Sequence, residues 1–128
     1  TRTGNDIAYT VGNVSTTGTL TGGNSSTSSL SGFGVNINTQ AGTTYTIDAT
    51  DNGKVIQTTG ASAITITIPA GLPTGFNCTV IQMGAGQITF SGTYLNRTGF
   101  TKTASQYSVV SILHLGSNSI IVTGEMSN

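Results

Sequence analysis

The sequence between Thr43 and Gly124 places an apolar side chain at every second position of several short runs. In the run Ser62–Ile68, for example, three isoleucines alternate with Thr65 and Thr67. An extended chain directs successive side chains to opposite faces, whereas a helix repeats about every 3.6 residues, so this pattern indicates β-strands. One face of each strand is apolar and the other carries hydroxyl groups, which is typical of an antiparallel sheet with one buried face.

The same alternation recurs in seven runs that are separated by glycine, proline and asparagine. The link Gly116–Asn118 is short enough to join the last two runs as a β-hairpin. We therefore predict an all-β fold, a single antiparallel β-sandwich or jelly-roll-like domain of Greek-key type. The predicted strands are Thr44–Asp48, Gly53–Thr58, Ser62–Ile68, Phe76–Met83, Gln87–Ser91, Tyr107–Leu115 and Ser119–Thr123.

Residues 1–42 differ from the rest of the chain in composition. They contain few large apolar side chains and pass through two stretches of glycine, serine and threonine, residues 12–23 and 25–29. Ordering a chain costs roughly 1–2 kcal/mol per residue, which so little apolar surface does not offset. We therefore expect an extended N-terminal arm, residues 1–42, followed by a β-sandwich body, residues 43–128. The arm is predicted to contact neighbouring chains through Ile7, Tyr9, Leu20, Leu30 and Phe33.

The charged residues and the single cysteine restrict the partners of the chain. Four basic and four acidic residues give a formal net charge of 0. Binding to nucleic acid or to an anionic membrane surface depends on clustered lysine and arginine, so we expect neither partner. One cysteine, Cys78, excludes an internal disulfide framework. A domain with a thin core and no disulfide is expected to gain stability by oligomerisation.

Few residues in the sequence have side chains suited to catalysis or metal binding. His114 lies in an alternating run with no visible aspartate or serine partner, so we interpret it as a core or interface histidine. Cys78 alternates with Phe76 and Val80, which indicates a buried, inert thiol. We predict a protein without enzymatic activity, metal or cofactor. The sequence offers no recognisable catalytic pair among its four carboxylates, which are Asp6, Asp48, Asp51 and Glu125.

Two segments have partial similarity to ligand-binding loops. Gly84–Gly86 is glycine-rich, but the following run is a strand and no helix is available to receive a phosphate. We predict a tight hairpin there, in which glycine supplies a positive φ. Asp48–Gly53 begins like a calcium loop, but Thr59 stands where such a loop needs a bidentate glutamate, so we predict a turn between strands.

The connection Gly92–Lys102 combines two aromatic residues with half of the basic residues. Aromatic and arginine side chains dominate the energy of many contact surfaces, and loops often carry them. The alternative interpretation is that Phe100 and Leu95 close the end of the sandwich. The candidate interaction residues of this loop are Tyr94, Asn96, Arg97 and Phe100.

Several stretches of the body together carry a resemblance to a known family. They are Thr46–Val55, Ala63–Leu72, Val80–Phe90 and Lys102–Tyr107, closed by Ile121–Gly124. In order and spacing they resemble a module common at the C-terminal ends of bacteriophage tail-fibre and other virion-surface proteins. Ile120 and Ile121 stand where that module often has a tryptophan, which argues against an aromatic sugar-stacking surface.

This resemblance implies a structural protein on the virion surface of a tailed bacteriophage. The short chain and the arm favour a capsid decoration (cement) protein, a homotrimer that binds the major capsid protein of the shell while its arm wraps over neighbours. The alternative is the receptor-binding tip of a tail fibre, which recognises a host surface glycan. A polysaccharide-degrading enzyme is disfavoured by the small number of carboxylates.

Overall fold

Ten β-strands make up most of the regular structure in residues 34–128, the part of the chain that the computed structural model describes. A three-residue 3₁₀ turn, Ala49–Asp51, is the one helical element in that range, where no helix is long and apolar enough to cross a membrane. The all-β prediction is confirmed. The strands are Ile37–Gln40 (β1), Thr44–Thr46 (β2), Val55–Thr58 (β3), Ile64–Ile68 (β4), Asn77–Gln82 (β5), Ile88–Gly92 (β6), Lys102–Thr103 (β7), Val109–His114 (β8), Ile120–Gly124 (β9) and Met126–Ser127 (β10).

The strands form two five-stranded sheets whose inner faces share one apolar core. Sheet A has the order β1-β3-β5-β8-β9, and sheet B has the order β10-β7-β6-β4-β2. Ile56 and Ile112 of sheet A and Ile66 and Ile88 of sheet B are at most 1% exposed. The two sheets therefore form the sandwich that the alternation predicted.

The strand directions differ from the predicted antiparallel, jelly-roll-like arrangement. The first six strands alternate between the sheets, so β1, β3 and β5 are parallel in sheet A, and β2, β4 and β6 are parallel in sheet B. Antiparallel pairing begins later, where β8 pairs with β5 and β9, and where β7 pairs with β6 and β10. Each sheet is therefore mixed. In the first half of the body the chain winds through three successive turns, each with one strand in sheet A and the next in sheet B. We call these turns rungs; they are β1–β2, β3–β4 and β5–β6.

The antiparallel prediction was wrong because a period of two reports which side chains face the core, and not the direction of the neighbouring strands. In β4 the alternation itself is present, since Ile64, Ile66 and Ile68 are buried while Thr65 is exposed. Direction depends on the connections. The link between β3 and β4 crosses from sheet A to sheet B, so β4 cannot fold back beside β3 as a hairpin.

Glycine allows the turns of successive rungs to stack closely. The Gly86 N–H donates to the Gly60 carbonyl at 3.0 Å, and a Cβ atom on Gly86 would overlap the Ser62 carbonyl oxygen. Gly84–Gly86 is therefore not the predicted hairpin with positive φ, because it joins β5 to β6 in the opposite sheet and neither glycine has a positive φ. Close approach of two main chains explains these glycines instead.

The other local predictions agree with the structure in most respects. All seven predicted strands are present, with ends that differ by a few residues. Gly116–Asn118 is a hairpin link, in which the Ser119 N–H donates to the Gly116 carbonyl at 2.8 Å. Three strands were not predicted: β7 and β10 have two residues each, and β1 lies within the predicted arm yet pairs with β3.

We expect Gly86→Ala to destabilise the body, because the new methyl group must displace the main chain of the preceding rung. Overpacking of this kind costs about 1–3 kcal/mol. Gly71→Ala is the matched control, since a Cβ atom there meets no atom within 4 Å. Urea unfolding followed by circular dichroism measures both free energies of unfolding. Equal stability of the two variants would contradict the stacked turns.

Candidate functional site

The predicted binding loop lies along the outer edge of sheet A. Leu95 forms a parallel bridge with Ile121 of β9. Its N–H donates to the Ile120 carbonyl at 2.7 Å, and its carbonyl accepts from the Val122 N–H at 3.0 Å. Asn96 continues this cover, because its Nδ2 donates to the Val122 carbonyl at 2.7 Å. The loop therefore satisfies main-chain groups that an edge strand would otherwise expose.

Asn96 organises the loop from within. Its Oδ1 accepts from the Thr98 N–H at 2.9 Å and from the Phe100 N–H at 3.2 Å. Tyr94 and Asn96 line the same open pocket of about 420 Å³, and burial raises the pKa of Tyr94. Arg97 is exposed and Phe100 is half-buried, and neither lines this pocket. The structure therefore brings together two of the four predicted loop residues.

The remaining sequence-predicted residues divide into core positions and positions outside the described range. Burial raises the pKa of Cys78 to about 12, which agrees with an unreactive core thiol. His114 is buried, and its Nδ1 donates to the Pro73 carbonyl at 3.0 Å, as expected of a core histidine.

Leu95 is 58% exposed and so does not close the sandwich. The predicted arm anchors lie outside the described residues; they are Ile7, Tyr9, Leu20, Leu30 and Phe33.

A buried carboxylate organises the end of the core at the first rung. Asp51 is 1% exposed and accepts from Asn38 Nδ2 at 2.8 Å and from the Tyr45 hydroxyl at 2.7 Å. Asn38 Nδ2 also donates to the Tyr45 oxygen at 2.7 Å, while Gln40 Nε2 donates to Asn38 Oδ1 at 2.6 Å. The Asp48 N–H donates to Asp51 Oδ2 at 3.1 Å and completes a capping box on the 3₁₀ turn. This polar layer was not predicted from the sequence.

The polar layer borders an open pocket of about 450 Å³, which also involves Asn36, Ile37, Thr50 and Lys54. Amide, hydroxyl and ammonium groups meet there beside one aliphatic side chain. These groups are suited to hydrogen bonding with a polyhydroxylated ligand. Hydrogen bonds from Thr50, followed by the charge of Lys54, lower the pKa of the neighbouring Asp48 carboxyl. Beneath the pocket, the Asp51 carboxylate accepts hydrogen bonds from Asn38, Tyr45 and the Asp48 N–H.

Tyr45 gives the polar layer a measurable pH dependence. Burial, followed by its hydrogen bond to Asp51, raises the pKa of Tyr45 from 10.0 to about 12. Between these values the folded chain retains a proton that the unfolded chain has lost, so the free energy of unfolding falls as the pH rises. We expect the free energy of unfolding of Tyr45→Phe to fall less over this pH range, because phenylalanine has no hydroxyl group to titrate. Urea unfolding of both proteins from pH 9 to about 12 measures it, and parallel curves would contradict the assignment.

The outer face of sheet A carries apolar side chains in three cross-strand pairs. Leu113 is 40% exposed and Ile37 is 60% exposed. At the edge of the sheet, Leu95 lies beside Ile121 and extends the pair that Ile121 forms with Leu113. The remaining outward positions of the five strands are threonine, serine, asparagine or glutamine, so these strands present no charged side chain on this face. We call the set the assembly face; it consists of the pairs Ile37·Val55, Ile81·Val109 and Leu113·Ile121, together with Leu95.

The outer face of sheet B has a different chemistry. Thr44, Thr65 and Thr89 lie in register across β2, β4 and β6, and a second row of hydroxyl side chains runs beside them. The two outer faces therefore differ, since that of sheet B carries rows of hydroxyl groups and that of sheet A carries apolar side chains among uncharged polar ones. The sequence contains a signal for the apolar face that the prediction did not use. Val109–His114 has apolar residues at outward as well as inward positions, which a strand with one solvated face does not need.

Comparison with known proteins leaves the function to be argued from these surfaces. A scan against protein-family models found no match, and a search of curated proteins found none either. Within residues 34–128, histidine, cysteine, aspartate and glutamate form no group of three that could hold a metal ion. The features with functional potential are the assembly face, the pocket at the first rung and the loop that contains Tyr94.

Proposed function

We propose that the protein is a non-enzymatic structural subunit on the surface of a tailed-bacteriophage virion, a capsid decoration (cement) protein that acts as a homotrimer. The observation that carries this proposal is the assembly face. The resemblance of residues 43–124 to virion-surface modules supports the location. The apolar side chains and the lack of charge on one sheet support a role in assembly.

The assembly face has the properties of a surface that another protein covers. Exposed apolar side chains gathered on one face of a protein commonly mark an interface, and the centres of interfaces are depleted in charged residues. The outward side chains of the five strands carry no charge, so most of this face can be buried without the cost of desolvating an ion. Glu125, whose Oε2 accepts from the Val109 N–H at 2.9 Å, places one carboxylate at its edge. A closed threefold arrangement buries this face when every copy turns it toward the axis, so that one part of the face contacts a different part of the face on the next copy.

The rest of the chain contributes to attachment in this proposal. The hydroxylated face of sheet B, which includes Thr65, stays in contact with water when the faces of sheet A meet. The N-terminal arm supplies the contact with the major capsid protein of the shell. Its spaced apolar residues suit pairing along a neighbouring chain, where main-chain hydrogen bonds add to apolar burial.

Leu113→Asp tests the assembly face, because it places a charge on a surface that must lose its water. We expect the wild-type chain to sediment as a trimer at micromolar concentration. Leu113→Asp is expected to weaken association by roughly 10–100-fold, equivalent to about 1.4–2.8 kcal/mol. Thr65→Asp is the matched control, since it adds the same charge to the outer face of sheet B. Sedimentation velocity across a dilution series measures all three proteins.

Two outcomes of this series would count against the proposal. The first is a wild-type chain that is monomeric throughout the dilution series. The second is equal behaviour of Leu113→Asp and Thr65→Asp, because the assembly face would then have no special role.

The pocket at the first rung supports a second candidate function, recognition of a host surface glycan by the tip of a tail fibre. Asn36, Thr50 and Lys54 offer donors and acceptors at the pocket, and Ile37 offers an aliphatic surface for the C–H groups of a sugar. Asp51 fixes the positions of Asn38 and Tyr45 beneath them. A binding site held in place in this way loses less conformational freedom when a ligand binds.

Binding of the full chain to arrayed bacterial surface glycans tests the second function. If the pocket is a glycan site, Lys54→Ala should weaken binding to the selected glycan about tenfold, the loss of a hydrogen bond to a charged group. Lys102→Ala, on sheet B, is the matched control and should bind like the wild type. Equal loss in both variants, or no binding by the wild type, would argue against the fibre-tip function.

A further inference from the structure

Asn52 and Gly53 form the single asparagine–glycine pair in the sequence. In such a pair the main-chain nitrogen of the second residue can attack the asparagine side chain, and glycine has no side chain to hinder that attack. Asparagine is counted among the thermolabile residues. Asn52 is exposed, so water also reaches it. The pair therefore has the chemistry of a deamidation site, at which the chain modifies itself covalently.

The reaction uses only these two residues and water. Gly53 N attacks Asn52 Cγ and forms a new C–N bond, while the bond from Cγ to Nδ2 breaks. Ammonia leaves with the proton that Gly53 N gives up, and a five-membered succinimide ring remains. Water then adds to either ring carbonyl and opens the ring. The product is aspartate or isoaspartate, in which the main chain runs through the former side chain.

The folded chain holds the pair in a tight turn. Residues 51–54 form a β-turn in which the Lys54 N–H donates to the Asp51 carbonyl at 3.0 Å. Asn52 has a φ of −56° and a ψ of 125°, and Gly53 has a φ of 74°, which are the angles of a type II turn. A ψ of this value directs the Gly53 nitrogen away from the Asn52 side chain. Ring closure therefore requires a rotation of the main chain that the turn hydrogen bond opposes.

Asn77, the first residue of β5, contacts both groups that react. The Gly53 N–H donates to the Asn77 carbonyl at 2.7 Å, and the Asn77 N–H donates to Asn52 Oδ1 at 3.0 Å. The first bond holds the hydrogen that the attacking nitrogen must lose. The second bond fixes the side chain that is attacked. Together they keep the nitrogen and the side-chain carbon apart.

We propose that Asn52 is a deamidation site that the turn and Asn77 protect in the folded chain, and that it is modified when this turn opens locally. The turn lies at the chain surface between the 3₁₀ turn and β3. Local opening of a surface turn costs less free energy than global unfolding. The inference is independent of the proposed function, because it concerns only the chemistry of this chain.

Deamidation would change the polar layer and the pocket at the first rung. Isoaspartate adds one carbon atom to the main chain, so the turn cannot re-form the same hydrogen bonds. The new carboxylate is next in the chain to Asp51, which holds Asn38 and Tyr45 in place. Two neighbouring carboxylates disfavour the ionised form of each other. A brief opening of the turn thus becomes a lasting change in the pocket.

Two rates in the wild-type chain test the protection. Peptide mass spectrometry that separates asparagine, aspartate and isoaspartate measures deamidation at residue 52, for the full chain folded in buffer and unfolded in urea at the same alkaline pH. We expect the folded chain to react at least about 100-fold more slowly, since each of two main-chain hydrogen bonds contributes about tenfold. NMR measures hydrogen exchange of the Gly53 amide, which the same opening exposes. Its exchange should be slowed by the same factor to within about threefold.

Asn77→Pro tests the contact with β5. Proline removes the N–H that donates to Asn52 Oδ1 and is accepted at the first residue of a strand. We expect this variant to deamidate about tenfold faster than the wild type, equivalent to about 1.4 kcal/mol. Gly86→Ala is the matched control, because it perturbs the turn that contacts Ser62 and leaves the contacts of Asn52 intact. It should deamidate at the wild-type rate under conditions in which circular dichroism shows a folded chain.

Several outcomes would overturn the inference. Equal rates in the folded and unfolded wild type would mean that the turn gives no protection, and no reaction in either state would mean that Asn52 is not a site. A Gly53 amide that exchanges freely while Asn52 stays unmodified would exclude the hydrogen bond to Asn77 as the protecting contact. Equal acceleration by Asn77→Pro and Gly86→Ala would assign the reaction to global unfolding.

The wild-type comparison of deamidation with hydrogen exchange decides the matter if Asn77→Pro does not fold. Agreement of the two factors supports local protection, and a deamidation rate that is slowed far more than exchange contradicts it. Neither result depends on the oligomeric state that sedimentation measures, so failure of this inference leaves the assembly face untouched.

Discussion

Main-chain hydrogen bonding between successive parallel rungs is the interaction on which the rest of this structure depends. It sets Tyr45, Ile66 and Phe90 side by side in sheet B, and Ile56 beside Val80 in sheet A. A shift of one residue in any rung would turn its apolar side chains outward and its threonines inward. The register therefore creates both the core and the two contrasting outer faces. The glycines at the corners permit it, because they let neighbouring turns approach closely.

The stack of three rungs has two ends, and different residues cover the core at each end. At the first rung, Asn38 takes the inward position that Ile56 holds in the next strand, and Asp51 satisfies its amide. The polar layer thus ends the core without an unpaired carboxylate. At the other end, the antiparallel strands β8 and β9 complete sheet A, and Leu95 and Asn96 cover the edge of β9. In folds built from stacked repeats, the terminal repeats commonly differ in sequence from the inner ones, because they must cap the core.

Local features of this fold could be predicted from the sequence, and features that depend on distant contacts could not. Strand positions follow from alternation, and the Gly116–Asn118 hairpin follows from a short link. Gly84–Gly86 has an equally suitable composition for a hairpin, yet carbonyl groups of the preceding rung, more than twenty residues earlier in the chain, determine its role. The same applies to the sites: Asp51 meets Asn38 only through the pairing of β1. The apolar outward positions of β8 were visible in the sequence, whereas the place of Leu95 beside Ile121 was not.

Ile37 links the two candidate functions, because it belongs to the assembly face and also lines the pocket at the first rung. In the proposed assembly, packing of sheet A against a second copy would cover part of Ile37 and place the pocket at the boundary between subunits. A glycan bound there would touch a surface that forms only in the oligomer. A fibre tip therefore needs both the assembly face and the pocket, whereas a decoration protein needs only the face. Both proposed functions require assembly. They differ in whether the side chains of the pocket, chiefly Lys54, bind a ligand.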